Sequence, residues 1–166
     1  MGFADRSAKQ YRRDRMSVGR LFGPRPPGKI ASSKPEGAMA KSELYEKGMS
    51  MRRQLMGDAA VEAAGKGVYA DPVMQKFLDV AVENVFGNLW TRPGLDIKTR
   101  ALICVISDTC MGREPELALH LRMALRQGWT EEELTEALLH LSGYIGVPII
   151  RECLQVASKV FKEPRG

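Results

Sequence analysis

Only two histidines occur in the 166 residues, and one of them, His120, stands four positions after Glu116 in a stretch with helical spacing. Residues three and four apart are neighbours on a helix, so Glu116, His120 and Met123 share a face. Imidazole titrates close to neutrality, which makes such a pair a natural candidate for moving a proton. Upstream, Trp90-Thr91-Arg92-Pro93-Gly94-Leu95 and Thr99-Arg100 set two guanidinium groups, Arg92 and Arg100, near an indole. A guanidinium fork matches a carboxylate in two-point contact. Plainer readings stand beside these. His120 could be a core histidine held by Glu116, Arg92 and Arg100 could pair with Asp96 or another subunit, and Trp90 could be core. His140 reads as packing or surface, and Arg113 beside Glu114 as solvent-facing.

Those side chains need helices to position them. Asp96 is placed to cap a helix opening at Ile97, whose run ALICVISDTCM is apolar nearly all round and reads as a buried central helix. Gly112 stops it, and Glu114-Pro115 opens the helix that carries Glu116 and His120, with Leu117, Leu121, Ala124 and Leu125 as its apolar stripe. Before this pair, Leu44, Met49, Met51, Leu55 and Met56 predict an amphipathic helix ending at Gly57, and a short one follows over residues 58–64. After a break at Gly65-Lys66-Gly67, Asp71-Pro72 opens a helix that ends near Gly87 and buries Val73, Phe77, Val80, Ala81 and Val85. Beyond Gly128, Thr130 and Glu133 form a capping box, followed by Leu134, Ala137, Leu138 and Leu141 as a buried stripe. Gly146-Val147-Pro148 turns into a final helix through Phe161, with Ile149, Ile150, Cys153, Val156, Ala157 and Val160 inward. No alternating strand pattern appears, and the predicted fold is all-α with six to seven helices.

Charge and cysteines narrow the function classes. The net charge of +5 is unevenly spread: residues 1–38 hold nine Lys or Arg against three Asp or Glu, leaving residues 39–166 at net −1. A basic excess confined to a Pro-, Gly- and Ser-containing segment reads as a disordered extension, not a nucleic-acid-binding face, and translation from Met39 would omit it. Asp5 and Asp14 interrupt a transit-peptide pattern, and Arg6 stands where myristoylation needs Ser or Thr. No run of eighteen apolar residues suggests a membrane span. Cys104, Cys110 and Cys153 read as reduced thiols of a cytoplasmic protein, and no His and Cys cluster has zinc spacing, so no structural metal is expected.

Trp90 to Leu95, Thr99-Arg100, Gly112-Arg113-Glu114 leading to Leu119-His120, and Tyr144-x-Gly146-Val147-Pro148 together resemble the carboxymuconolactone decarboxylase family. The resemblance extends over residues 43–162 and takes in Glu46-Lys47-Gly48 and Met56-Gly57-Asp58. It implies an alkylhydroperoxidase D-like helical bundle assembled as a homo-oligomer, a trimer or hexamer. The superfamily's thiol-peroxidase branch carries two cysteines three apart with a histidine four residues after the second. Here Arg113 and Glu116 occupy the thiol positions, and Cys110 is six residues before Glu116, so a disulfide relay is disfavoured.

The decarboxylase branch implies cofactor-free loss of carbon dioxide from a small carboxylated lactone, 4-carboxymuconolactone, in aromatic-compound breakdown. Such a reaction asks for cations to hold two carboxylates, a donor for the growing oxyanion and one positioned acid. By position the motif assigns His120 as the acid and Glu116 as its orienting anion. It makes Arg92 and Arg100 the carboxylate clamps, and Trp90 and Tyr144 the pocket walls, with the Tyr144 hydroxyl as oxyanion donor. A residual peroxidase using Cys110 and a non-catalytic oligomeric scaffold are the competing readings.

Overall fold

The computed structural model describes residues 41–164; the expectations for residues 1–38 lie outside them. The described residues form seven α-helices and no strand, in agreement with the predicted class. They are α1 (Glu43–Met56), α2 (Asp58–Lys66), α3 (Pro72–Ala81), α4 (Ile97–Met111), α5 (Glu114–Arg126), α6 (Glu131–Ile145) and α7 (Val147–Val160). A single 3-10 turn (Val68–Ala70) precedes α3, and a π-helical segment (Val82–Leu89) continues it. No helix among the described residues is long and apolar enough to cross a membrane.

Local chemistry sets most of the boundaries. Asp71 accepts from the backbone N–H groups of Val73 and Met74, at 2.9 and 3.1 Å, and Pro72 supplies the pre-set first turn. Asp96 accepts from Thr99 N at 2.8 Å and from the Thr99 hydroxyl at 2.7 Å. Thr130 and Glu133 form the reciprocal box that their spacing predicts. Gly112 takes the left-handed C′ conformation, φ 63° and ψ 35°, which a side chain would strain. The chain therefore reverses after α4, and α5 packs back along it.

The core joins α4, α5, α6 and α7 around Val105, Leu117, Leu121, Leu134, Leu138 and Cys153, with Leu55 of α1 and Trp90 reaching in. Full burial of each leucine contributes about 1.5–3 kcal/mol. At the chain's end Arg122 clasps Glu163 through two hydrogen bonds of 2.7 Å, tying the residues after α7 to α5.

Several expectations need correction. Gly65 lies inside α2, which runs on to Lys66. Gly87 does not end the helix begun at Pro72. The chain continues to Leu89 with π geometry, where Trp90 N donates to Val85 O at 3.0 Å, and Gly87 instead marks a helix crossing. A Cβ on Gly48 would come within 2.1 Å of the Val82 carbonyl oxygen, and one on Gly87 within 2.4 Å of the Leu44 carbonyl oxygen. Two glycines thus let α1 and the π segment touch backbone to backbone. Finally, Val73, Phe77 and Val80 are 73%, 57% and 61% exposed, so the face expected to be inward is uncovered in one chain. Val85, Ile103 and Ile149 are exposed as well, and α4 is not buried all round.

The crossing yields a prediction for stability. Gly48→Ala has backbone, not a yielding side chain, in its way and should cost about 1–3 kcal/mol or more. Gly65→Ala meets nothing within 4 Å on a helix and should stabilise by up to about 1 kcal/mol. Urea denaturation midpoints of the two variants check this; equal shifts would remove the close crossing from the account.

Candidate active site

The α4–α5 reversal creates the site. Asp108 sits one turn before the end of α4, and Arg113 N donates to its carbonyl at 3.0 Å as the chain turns. Coming back along α4, α5 brings the His120 imidazole to the Asp108 carboxylate, with Nδ1 2.5 Å from Oδ2. Asp108 is almost wholly buried, its side chain 8% exposed, whereas the imidazole keeps 22% of its surface. The neighbouring Thr109 is sealed and turns its hydroxyl onto the Val105 carbonyl at 2.8 Å, leaving the carboxylate to the histidine. An ionised carboxylate only accepts, so Nδ1 is the protonated nitrogen of the neutral ring and donates to Asp108. Nε2 makes no hydrogen bond among the described residues. The arrangement fixes one tautomer and leaves the outer nitrogen for chemistry.

Glu116 does not orient this ring. Its carboxylate accepts from Arg113, Nη2 to Oε1 at 2.8 Å and Nε to Oε2 at 3.3 Å. The Arg113 hydrogen bond holds the Glu116 carboxyl below its usual range, and the same contact raises Arg113. Helical adjacency to His120 was real, but Arg113, three residues away and fork-shaped, satisfies the carboxylate better than a ring already held by Asp108. Asp108 is the candidate-site residue that motif reading missed. Its signal was present: it is the single carboxylate between Ile97 and Met111, in a run otherwise too apolar to leave an acid unpaired.

The basic turn serves a different region. Arg100 spends its fork on backbone, Nη2 donating to Arg92 O at 2.8 Å and Nε to Leu95 O at 3.2 Å. It fastens the turn before α4 and is not a free clamp. Arg92 is exposed on the rim of a groove of about 450 Å³, shared with Lys47, Ser50, Gln54, Leu95 and Ile97 and floored by Trp90. Trp90 is 8% exposed and belongs to the core while presenting part of its surface to this groove. Asp108 lies eleven positions after Ile97 along α4, roughly 16 Å at 1.5 Å per residue. Within one chain the Trp90–Arg92 groove and the histidine therefore occupy opposite ends of α4. Tyr144, expected as a pocket wall, is 73% exposed near the end of α6, where its ring meets His140 at a centroid distance of 5.2 Å.

All three cysteines are free. Burial, with Asp108 nearby, pushes the Cys104 thiol up to about 11, and burial also raises Cys153. Cys110 is exposed.

The family model for the carboxymuconolactone decarboxylase family matches residues 75–159, from within α3 to within α7, and the chain belongs to that family. A 4-carboxymuconolactone decarboxylase of Acinetobacter baylyi is 32% identical over 125 residues, covering 75% of this chain and 92% of the relative. A nitrosuccinic acid decarboxylase of Metarhizium robertsii is 34% identical over 122 residues, covering 72% of this chain and 82% of the relative.

The thiols give a direct check on sulfur chemistry. A thiol titrating near 11 is protonated through neutral pH and becomes a thiolate only as pH approaches that value. Brief iodoacetamide treatment at pH 8 should therefore label Cys110 and spare Cys104 and Cys153, as read by peptide mass spectrometry. Rapid labelling of Cys104 would contradict its environment.

Proposed function

We propose that the chain is a cytoplasmic carboxy-lyase that removes carbon dioxide, without a cofactor, from a small acid bearing two carboxylates and its own electron sink. The leading substrate is 4-carboxymuconolactone. The observation that carries the reading is the Asp108–His120 pair, an imidazole held at Nδ1 by a buried carboxylate with Nε2 unbonded and the ring partly open to solvent. The relatives' names support the substrate class. 4-Carboxymuconolactone has one carboxylate on an unsaturated lactone ring and another on a side arm; nitrosuccinic acid has two carboxylates and a nitro group.

In each acid the C–C bond to the departing carboxylate breaks and its electron pair is accepted, by the lactone carbonyl through the ring double bond or by the nitro group. A delocalised anion results, and it must be protonated on carbon. The bare Nε2 of His120 first takes a proton from solvent and then delivers it to that carbon, while Asp108 keeps the ring oriented and balances the positive charge of the intervening imidazolium. Solvent reaching the exposed part of the ring returns the proton. No step uses sulfur.

Carboxylate binding falls to Arg92, since Arg100 is engaged with backbone. Because α4 stands between the Arg92 groove and His120, the reading has the clamp supplied by a neighbouring subunit of a homo-oligomer, a trimer or hexamer. The uncovered Val73, Phe77 and Val80 face and the exposed Tyr144 and Val147 support such assembly, since apolar groups clustered at a surface ask for a partner. Tyr144 would stand at that boundary, where its hydroxyl could meet the developing oxyanion.

Incubation with 4-carboxymuconolactone, following carbon dioxide release, tests the reading. His120→Ala should lower kcat by about 10²- to 10⁴-fold, and Asp108→Asn by about tenfold or more. Phe77→Glu, which leaves the pair untouched, should reduce the mass in light scattering toward the 18.4 kDa chain and lower activity with it. Turnover that survives His120→Ala would end the proton-donor assignment. An active monomer would end the shared-site one.

A further inference from the structure

Three polar or charged residues are buried among those described. Asp108 has His120, and Thr109 has the Val105 carbonyl. The third, Arg52 on α1, is only 3% exposed and has neither a hydrogen bond nor an ion pair among the described residues. Its contact is the ring of Tyr69, in the 3-10 turn, with Cζ 5.0 Å from the ring centroid. Of the two acids nearest along the chain, Glu46 and Asp58, the second leans toward Arg53 at 3.7 Å.

Withdrawing a guanidinium from water costs far more than one aromatic face returns. Among the described residues no side-chain nitrogen is both sealed and unpartnered, so the unbonded N–H edge of Arg52 reaches an opening and not dry packing. Stacking on Tyr69 covers one flat face of the guanidinium and steadies its plane. The in-plane N–H groups are left as a fork whose spacing fits the two oxygens of a carboxylate. An opening that leaves so little of Arg52 exposed admits a small molecule more readily than a folded surface. We infer that Arg52, backed by Tyr69, is a binding site for one carboxylate of a small organic acid. Arg52 is on the helix that lends Ser50 and Gln54 to the Arg92 groove but does not itself line that groove, and it makes no contact with His120, so the site is separate from both. Its occupant being the decarboxylated acid itself would rest on the proposed function; the carboxylate site does not.

The test uses protein labelled with 15N-arginine, with the Arg52 Nε–H signal assigned by its loss in Arg52→Lys. Succinate should shift that signal saturably, and the uncharged isostere succinamide should not. Arg52→Met should weaken succinate binding about ten- to a hundredfold. His120→Ala should bind succinate as the parent does, so that a failure here is separable from a failure of the proposed chemistry. If succinate competes with the decarboxylated acid and Arg52→Met raises KM with kcat kept, the occupant is the substrate; succinate binding without competition assigns a second acid. An Arg52 signal indifferent to succinate overturns the inference. So does one that responds equally to inorganic phosphate, or one that moves with protein concentration in the absence of any acid, which would mean a second copy supplies the carboxylate. Should Arg52→Met fail to fold, the titration of the unaltered protein still decides.

Discussion

A carboxylate placed inside an apolar helix has to be met by a donor, and the meeting of Asp108 with His120 is the constraint around which the α4–α5 hairpin is arranged. Leaving Asp108 buried and unpaired would cost several kcal/mol. The hairpin must therefore close in one register, with Gly112 supplying the left-handed turn and Leu117 and Leu121 packing on the same side to hold it. Stability and chemistry coincide here. The interaction that satisfies Asp108 also fixes the imidazole tautomer and leaves Nε2 without a partner among the described residues.

The second constraint is steric. Gly48 and Gly87 bring α1 against the π segment so closely that main-chain atoms fill the contact, and the helix widens over Val82–Leu89. That widening delivers Trp90 to the core, and Thr91 closes the end of the segment through its hydroxyl on the Gly87 carbonyl at 2.5 Å. Arg100 then ties down the following turn. The arginines near Trp90 consequently divide their work: one is fastened to backbone and the other is left on the groove rim. Motif position alone could not separate these roles, because both guanidinium groups look equally available in a sequence.

The class of the fold was legible because capping residues and 3.6-residue periodicity act locally. Asp71-Pro72, Asp96, Gly112 and the Thr130–Glu133 box each behave as their chemistry dictates. What misled was the choice among partners. Glu116 lies one turn from His120 on the same helix, yet the ring reaches across to α4, and tertiary proximity outweighs helical adjacency. Likewise Val73, Phe77 and Val80 form the apolar stripe that periodicity announces, but periodicity identifies an apolar face without saying whether the same chain covers it. Asp108 was readable as an anomaly, a lone acid in an apolar run, although its partner was not.

The tautomer of His120 in solution tests the central claim most directly. Nitrogen-15 spectra of the histidine side chains, with His140 identified by substitution, should show the neutral His120 ring protonated at Nδ1 and bare at Nε2, and Asp108→Asn should disturb that state. A neutral ring protonated at Nε2, or one unchanged when Asp108 loses its charge, would contradict the account.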